Sequence, residues 1–186
     1  MSVLIVSATR AEAAHVPAGL PLVVTGLGKT AAAVATATAL AAADRAGLTV
    51  VNIGTAGALR DGLTGIHLPG TVLNHDMNAD AIRALGYDPQ EVLQIDGGDA
   101  TVLASGDTFV TDPVVRAALA ARADLVDMEG YAVAYACRQL GVPVRIVKHV
   151  SDNADESAFD WPTLVEASAR ALGDWLEAHP LETHRS

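Results

Sequence analysis

Val126-Asp127-Met128-Glu129-Gly130 and, one helix later, Lys148-His149-Val150-Ser151-Asp152-Asn153-Ala154-Asp155 are the stretches around which the chain reads as organised. Between them, Val133, Ala136, Cys137 and Leu140 recur every three to four positions, which predicts one apolar face of a helix over residues 131–140. Gly141 is a ready helix stop and Pro143 forbids continuation. Val144, Ile146 and Val147 are mostly β-branched and suit a buried strand. The unit is strand, helix, strand, with acids at the carboxyl ends of both strands. In open α/β sheets ligands bind at that edge.

Working outward, the same alternation continues in both directions. Val3–Val6, Leu22–Val24, Thr49–Ile53, Gly70–Asn74 and Thr101–Ala104 are short apolar runs that predict strands. Lys29 to Ala46 predicts an alanine-rich helix stopped by Gly47. Thr111 or Asp112 can cap a helix that has Pro113 in its first turn and runs to Arg122. A C-terminal helix begins near Asp160, with Ala167, Leu172 and Trp175 facing the core. Residues 81–98 predict a long irregular loop with one helical turn. The fold class is therefore α/β, a single domain over residues 1–178 with a mostly parallel or mixed central sheet flanked by helices. Residues 179–186 read as a loose tail. Four strand ends, near Glu12, Thr55, Phe109 and the Asp127–Asp152 unit, carry small or acidic residues, and their convergence would form one pocket.

Composition narrows the partners. The chain has 186 residues, 51% of them hydrophobic, and 22 acids against 12 bases give a formal net charge of -10. Such a balance argues against a nucleic-acid backbone as partner, which needs a basic face, and favours a small ligand or a protein. One cysteine, Cys137, excludes an intrachain disulfide framework and fits a reducing, cytoplasmic setting; on the apolar helix face it reads as core. Met1 to Arg10 lacks a basic region ahead of its apolar run, which predicts no signal peptide. No apolar run is long enough to span a bilayer, so no membrane partner is expected.

Two glycine motifs mislead. Gly28-Lys29-Thr30 ends like a phosphate-binding loop, but Val23 stands where that motif needs glycine. Gly26-x-Gly28-x-x-Ala31 mimics a dinucleotide fingerprint, yet its acid, Asp44, falls before the next strand has begun. What remains is a strand-to-helix turn whose amides can meet an anion or a hydroxyl. His75 and Asp76 lack a spaced partner cluster, so no metal site and no cofactor is expected. From pattern alone Glu12 reads as a solvated acid in a surface turn.

The ordered set Thr25-Gly26-Leu27-Gly28-Lys29, Asn52-Ile53-Gly54-Thr55-Ala56-Gly57, Ser105-Gly106-Asp107-Thr108-Phe109-Val110, Val126-Asp127-Met128-Glu129 and Ser151-Asp152-Asn153-Ala154-Asp155 resembles the purine nucleoside phosphorylase/nucleosidase superfamily. The 5′-methylthioadenosine/S-adenosylhomocysteine nucleosidases are the most similar branch. The resemblance implies cleavage of the N-glycosidic bond of a purine nucleoside by a homodimer or higher oligomer. Asp152 matches the acid that protonates the leaving base, a task that burial or neighbouring carboxylates such as Glu129 and Asp155 assist. Glu129 matches the acid on the ribose hydroxyls, near an oxocarbenium-like transition state, with Met128 packing on the sugar. Glu12 matches the carboxylate that orients water, helped by Thr55. Phe109 matches the residue stacked on the base, the Val110 backbone the group reading its edge, and Phe159 an aromatic closing the site. Asp127, Lys148 and Ser151 complete the implied substrate-binding set. Three departures stand out: Lys148 replaces the usual arginine ahead of Ser-Asp, Asp127 replaces a common glutamate, and the segments between Glu12 and Leu22 and between Tyr87 and Thr101 are short. Asn52 stands where superfamily phosphorylases carry arginine, which favours water over phosphate as nucleophile. Phosphorolysis, hydrolysis of futalosine-type nucleosides and nucleoside binding without catalysis are the alternatives.

Overall fold

The computed structural model describes residues 2–179. In chain order its elements are β1 (Ser2–Ser7), β2 (Leu22–Val24), α1 (Lys29–Ala42), β3 (Leu48–Ala58), β4 (Ile66–His67), β5 (Pro69–Asn74), α2 (Ala79–Ala84), β6 (Val92–Gln94), β7 (Asp99–Ser105), α3 (Pro113–Ala120), β8 (Leu125–Asp127), α4 (Gly130–Gln139), β9 (Val144–Asp152) and α5 (Trp161–Ala178), with a 3-10 turn at Glu156–Asp160 ahead of the last helix. All the strands join one mixed sheet, in which β2-β1-β3-β8-β7-β5-β6 run side by side and β9 pairs with β3 and β4.

β3 positions everything else. Its first half pairs in parallel with β1, from Leu48 opposite Ser2 to Asn52 opposite Val6. Its last residues pair antiparallel with β8, Gly57 opposite Val126 and Ala58 opposite Leu125. β1 and β8 therefore run toward each other along β3, and their carboxyl ends meet beside residues 53–56. β9 pairs in parallel with β3 from Val50 to Gly57, with a register shift between Ala56 and Gly57 that leaves Ser151 without a partner of its own. Such a bulge re-aims the side chains beyond it.

The core follows the alternation of the strands. Val6 and Val50 pack against Ala32 and Leu40 of α1 and Val133 and Cys137 of α4 on one face. Val3, Ile5, Val51, Ile53 and Val147 pack against Leu172, Trp175 and Leu176 of α5 on the other. Each such side chain contributes on the order of 1.5–3 kcal/mol of burial. Burial pushes the Cys137 thiol up to about 12, in keeping with a core residue.

Several expectations shift. β3 does not end at Ile53: Gly54 and Gly57 avoid the left-handed region and remain in the ladder. α1 stops at Ala42 rather than Ala46, where the Asp44 carboxylate captures the Ala46 N–H at 3.0 Å and favours a local turn. The segment 81–98 holds the three-residue edge strand β6, paired antiparallel with β5. Ala167 is exposed, and Ser168 takes its place on the buried face of α5. His179 stacks on Trp175 with ring centroids 4.4 Å apart; the rest of the expected tail, 180–186, lies outside the described residues.

Helix α5 also braces the loop after β1. A Cβ on Gly173 would lie 2.5 Å from the His15 carbonyl oxygen, so the helix backbone rests directly on that loop. His15 bonds Glu166 of the same helix at 3.0 Å. Gly173→Ala gains about 0.5–1 kcal/mol of helix propensity but overpacks backbone, at a cost of about 1–3 kcal/mol or more. The clash wins: thermal denaturation is expected to show a Tm lower by several degrees, and an unchanged or raised Tm would refute the contact.

Candidate functional site

One cavity of about 420 Å³ opens where the ends of β1 and β8 meet beside β3. That volume is ample for a small-molecule ligand. Of the residues expected in the site, Glu12, Thr55, Phe109, Val110, Asp127, Met128, Glu129, Ser151, Asp152 and Phe159 all line it. Lys148 does not. It lies behind the wall, 2% exposed, with its Nζ 2.8 Å from Asp127 Oδ2.

Glu12 is held by four donors. Its Oε1 accepts from Thr55 N–H and Thr55 Oγ1, both at 2.8 Å, and its Oε2 accepts from Thr9 N–H at 3.1 Å and Thr9 Oγ1 at 2.9 Å. Glu12 N–H donates back to Thr9 Oγ1 at 3.1 Å. This is a capping box: Thr9-x-x-Glu12 closes its own turn. The solvated surface acid read from pattern alone is in fact 5% exposed. Thr55 Oγ1 in turn accepts from the Trp161 indole N–H at 2.9 Å. Thr9 and Trp161 were not foreseen. The capping-box spacing was a signal for Thr9, whereas Trp161 had none beyond being an aromatic at the start of a helix.

Glu129 follows β8 and precedes the first turn of α4. Its Oε1 accepts from the Gly28 N–H at 2.8 Å, and Lys29 N–H donates to Asp107 Oδ1 at 2.7 Å. The amides of the glycine turn thus do meet anions, and both belong to the protein. Gly28 has φ +88°, the left-handed region that favours glycine. Burial, then the neighbouring Asp127 charge, push Glu129 up to about 7, against the pull of Lys148 and the Gly28 amide. Burial opposes the Lys148 ammonium, but Asp127 and Glu129 outweigh it and hold Lys148 above its ordinary range.

Asp127 anchors the frame. Oδ1 accepts from Ser105 Oγ at 2.5 Å and Oδ2 from Gly130 N–H at 2.8 Å, which seats the start of α4 on the end of β7. Gly54 leaves room behind it: a Cβ there would lie 3.1 Å from both Glu12 Oε1 and Lys148 Nζ. Asn52, lower on β3, is buried and donates to the Val6 carbonyl at 3.1 Å, tying β3 to β1.

Asp152 lies just past the bulge. Oδ2 accepts from Ser151 Oγ at 2.6 Å, and Oδ1 accepts from Ala154 N–H at 2.8 Å, with Ala154 at φ +51°. At the mouth, Phe109 and Phe159 are 50% and 67% exposed and meet edge to face with centroids 6.0 Å apart. Among the described residues no cluster of His, Cys, Asp or Glu could hold a metal ion.

A family model of the phosphorylase superfamily matches residues 99–174, from β7 into α5. The chain carries the phosphorylase-superfamily fold. A crystal structure of Helicobacter pylori 5′-methylthioadenosine/S-adenosylhomocysteine nucleosidase superposes with a TM-score of 0.82 at 23% identity, covering 96% of this chain and 97% of that one. The Neisseria meningitidis nucleosidase of the same name, in complex with methylthio-immucillin-A, gives 0.78 at 26%, covering 96% and 99%. In sequence, the chain is 29% identical over 129 residues to an H. pylori aminodeoxyfutalosine nucleosidase, 58% of this chain but only 56% of that relative's length. A 5′-methylthioadenosine/S-adenosylhomocysteine nucleosidase of Shewanella putrefaciens is 29% identical over 171 residues, 76% of this chain and 72% of the relative.

The cavity of this chain has a measurable cost. Glu129 keeps its proton well above the ordinary 4.5, so the stability linked to that proton is complete below about 4.5 and is lost as pH rises through about 7. Glu129→Gln retains the acceptor for Gly28 without the charge. Its Tm is expected to exceed that of the parent by several degrees near pH 8 and to match it only below about pH 4. No gain near pH 8 would count against a strained carboxylate.

Proposed function

We propose that the chain is a purine nucleosidase that hydrolyses the N-glycosidic bond of a nucleoside of the methylthioadenosine/S-adenosylhomocysteine type. The observation that carries the reading is one cavity lined by Glu12, Asp127, Glu129 and Asp152 beside Phe109 and Phe159, with no Lys, Arg or His among the described residues that line it. The transition state of such a cleavage is cationic at the sugar, and a wall of carboxylates suits a cation. An anionic phosphate nucleophile would need a basic group there, so water is the better match. Arg10 is exposed and outside the lining.

In this reading the exposed faces of Phe109 and Phe159 take the purine, and the Val110 backbone reads its edge. Asp152 donates a proton to the departing base, and Ser151 Oγ, 2.6 Å from it, steadies the donor oxygen. Glu129 takes the ribose hydroxyls with Met128 against the ring, and stabilises the positive charge that develops. Glu12 orients the attacking water. Two of its four donors, Thr9 Oγ1 and Thr55 Oγ1, are hydroxyls that can rotate away as it takes up the proton. Lys148 acts through Asp127 and Glu129 rather than on the substrate. A cytoplasmic setting and a homo-oligomer belong to the same reading, the oligomer supported by exposed Leu85, Tyr87 and Val114. Futalosine-type nucleosides are the second substrate class, favoured by the aminodeoxyfutalosine nucleosidase relative.

A nucleoside panel with chromatography of the released base tests this directly. Free ribose or its 5′-thio derivative is expected, at a rate independent of phosphate; ribose 1-phosphate would overturn hydrolysis. Asp152→Asn is expected to lower kcat by roughly 10²–10⁴-fold with the fold intact. In the parent, kcat/KM is expected to fall as pH drops below about 7, where Glu129 takes up its proton. A flat profile through that range would remove Glu129 from the ionised machinery.

A further inference from the structure

Lys29, Asp76 and Asp107 form a closed ring across three separate segments of the chain. Lys29 N–H donates to Asp107 Oδ1 at 2.7 Å, and Asp107 N–H donates to Asp76 Oδ2 at 2.8 Å. Lys29 Nζ returns to Asp76 Oδ1 and also reaches Asn74 Oδ1 at 2.8 Å. The segments are the first turn of α1, the loop after β5 and the loop after β7. None of the three residues lines the cavity.

The neighbours of the ring explain why it matters. Gly28, one residue before Lys29, gives its N–H to Glu129. Asp107 lies two residues before Phe109 and three before Val110. Adjacent amides of one turn therefore hold the acid of the sugar subsite and the loop of the base subsite. The packing is tight: a Cβ on Gly28 would lie 2.9 Å from Asp107 Oδ1. Beside the ring, the His75 ring lies against Gly106, where a Cβ would fall 2.3 Å from Nε2.

We propose that Asp107, with Lys29 and Asp76, is a positioning residue that fixes the base subsite relative to Glu129. This rests on the nucleosidase reading. Severing the ring frees the Phe109 loop to move against the sugar subsite. Displacements of about 1 Å at such a site cost up to about 100-fold in rate.

The test compares Asp107→Ala, Asp107→Asn and Asp76→Ala with the parent in steady-state kinetics, thermal denaturation and calorimetric titration with free adenine. Asp107→Ala and Asp76→Ala are expected to lower kcat/KM roughly tenfold to a hundredfold and to weaken adenine binding. Asp107→Asn keeps an acceptor for Lys29 N–H and is expected to recover most of the loss. A lowered Tm with kcat/KM and adenine affinity within about twofold of the parent would make the ring structural only and overturn the inference, while parent turnover would leave the nucleosidase reading standing. Absence of parent turnover across the panel would instead overturn that reading.

Discussion

A single strand serves three neighbours, and the rest of the molecule depends on it. β3 pairs with β1 in parallel, with β8 antiparallel and with β9 in parallel. Two strands that approach head-on along one partner cannot both continue, so their chains must turn out of the sheet between residues 53 and 56. There the backbone ladder is interrupted and polar side chains fill the gap. Glu12 bonds the Thr55 amide, supplying an acceptor beside the break. The cavity is thus a consequence of pairing geometry before it is a consequence of chemistry.

Charge is the second constraint. Glu12, Asp127 and Glu129 are all buried, with one buried ammonium, Lys148, among them. Several buried charges of one sign are costly unless neutralised, and the upward shift of Glu129 expresses the shortfall. In the proposed reaction, the missing positive charge is what a ribosyl cation would bring. Under that proposal, ground-state discomfort and affinity for a cationic transition state are the same electrostatic effect.

Much of this was legible in residue order. The unit from β8 to β9 followed from the helical period of Val133, Ala136 and Cys137 between β-branched runs, and the loops that meet at the cavity were marked by small and acidic residues at strand ends. The length of β3 was not legible, because the small residues from Gly54 to Ala58 read as lying past the strand's end. The role of Gly54 and Gly57 is space: a Cβ on Gly57 would fall 2.9 Å from Asp152 Oδ1, and only a folded neighbour reveals that. β4 and β6 are too short for any period to show. The place of Lys148 behind the wall was equally hidden, since alternation along β9 says which face a side chain takes but not what lies in front of it.

Glu12 closes its own turn and knits a strand amide as well as facing the cavity. Asp127 seats α4. In a descendant released from selection for activity, folding alone would preserve both. Phe109 and Phe159 are different. Half or more exposed, they support little besides each other, and drift would erode them first. Across a lineage of this fold, the aromatic pair at the mouth is a better witness of continued ligand use than Glu12 or Asp127.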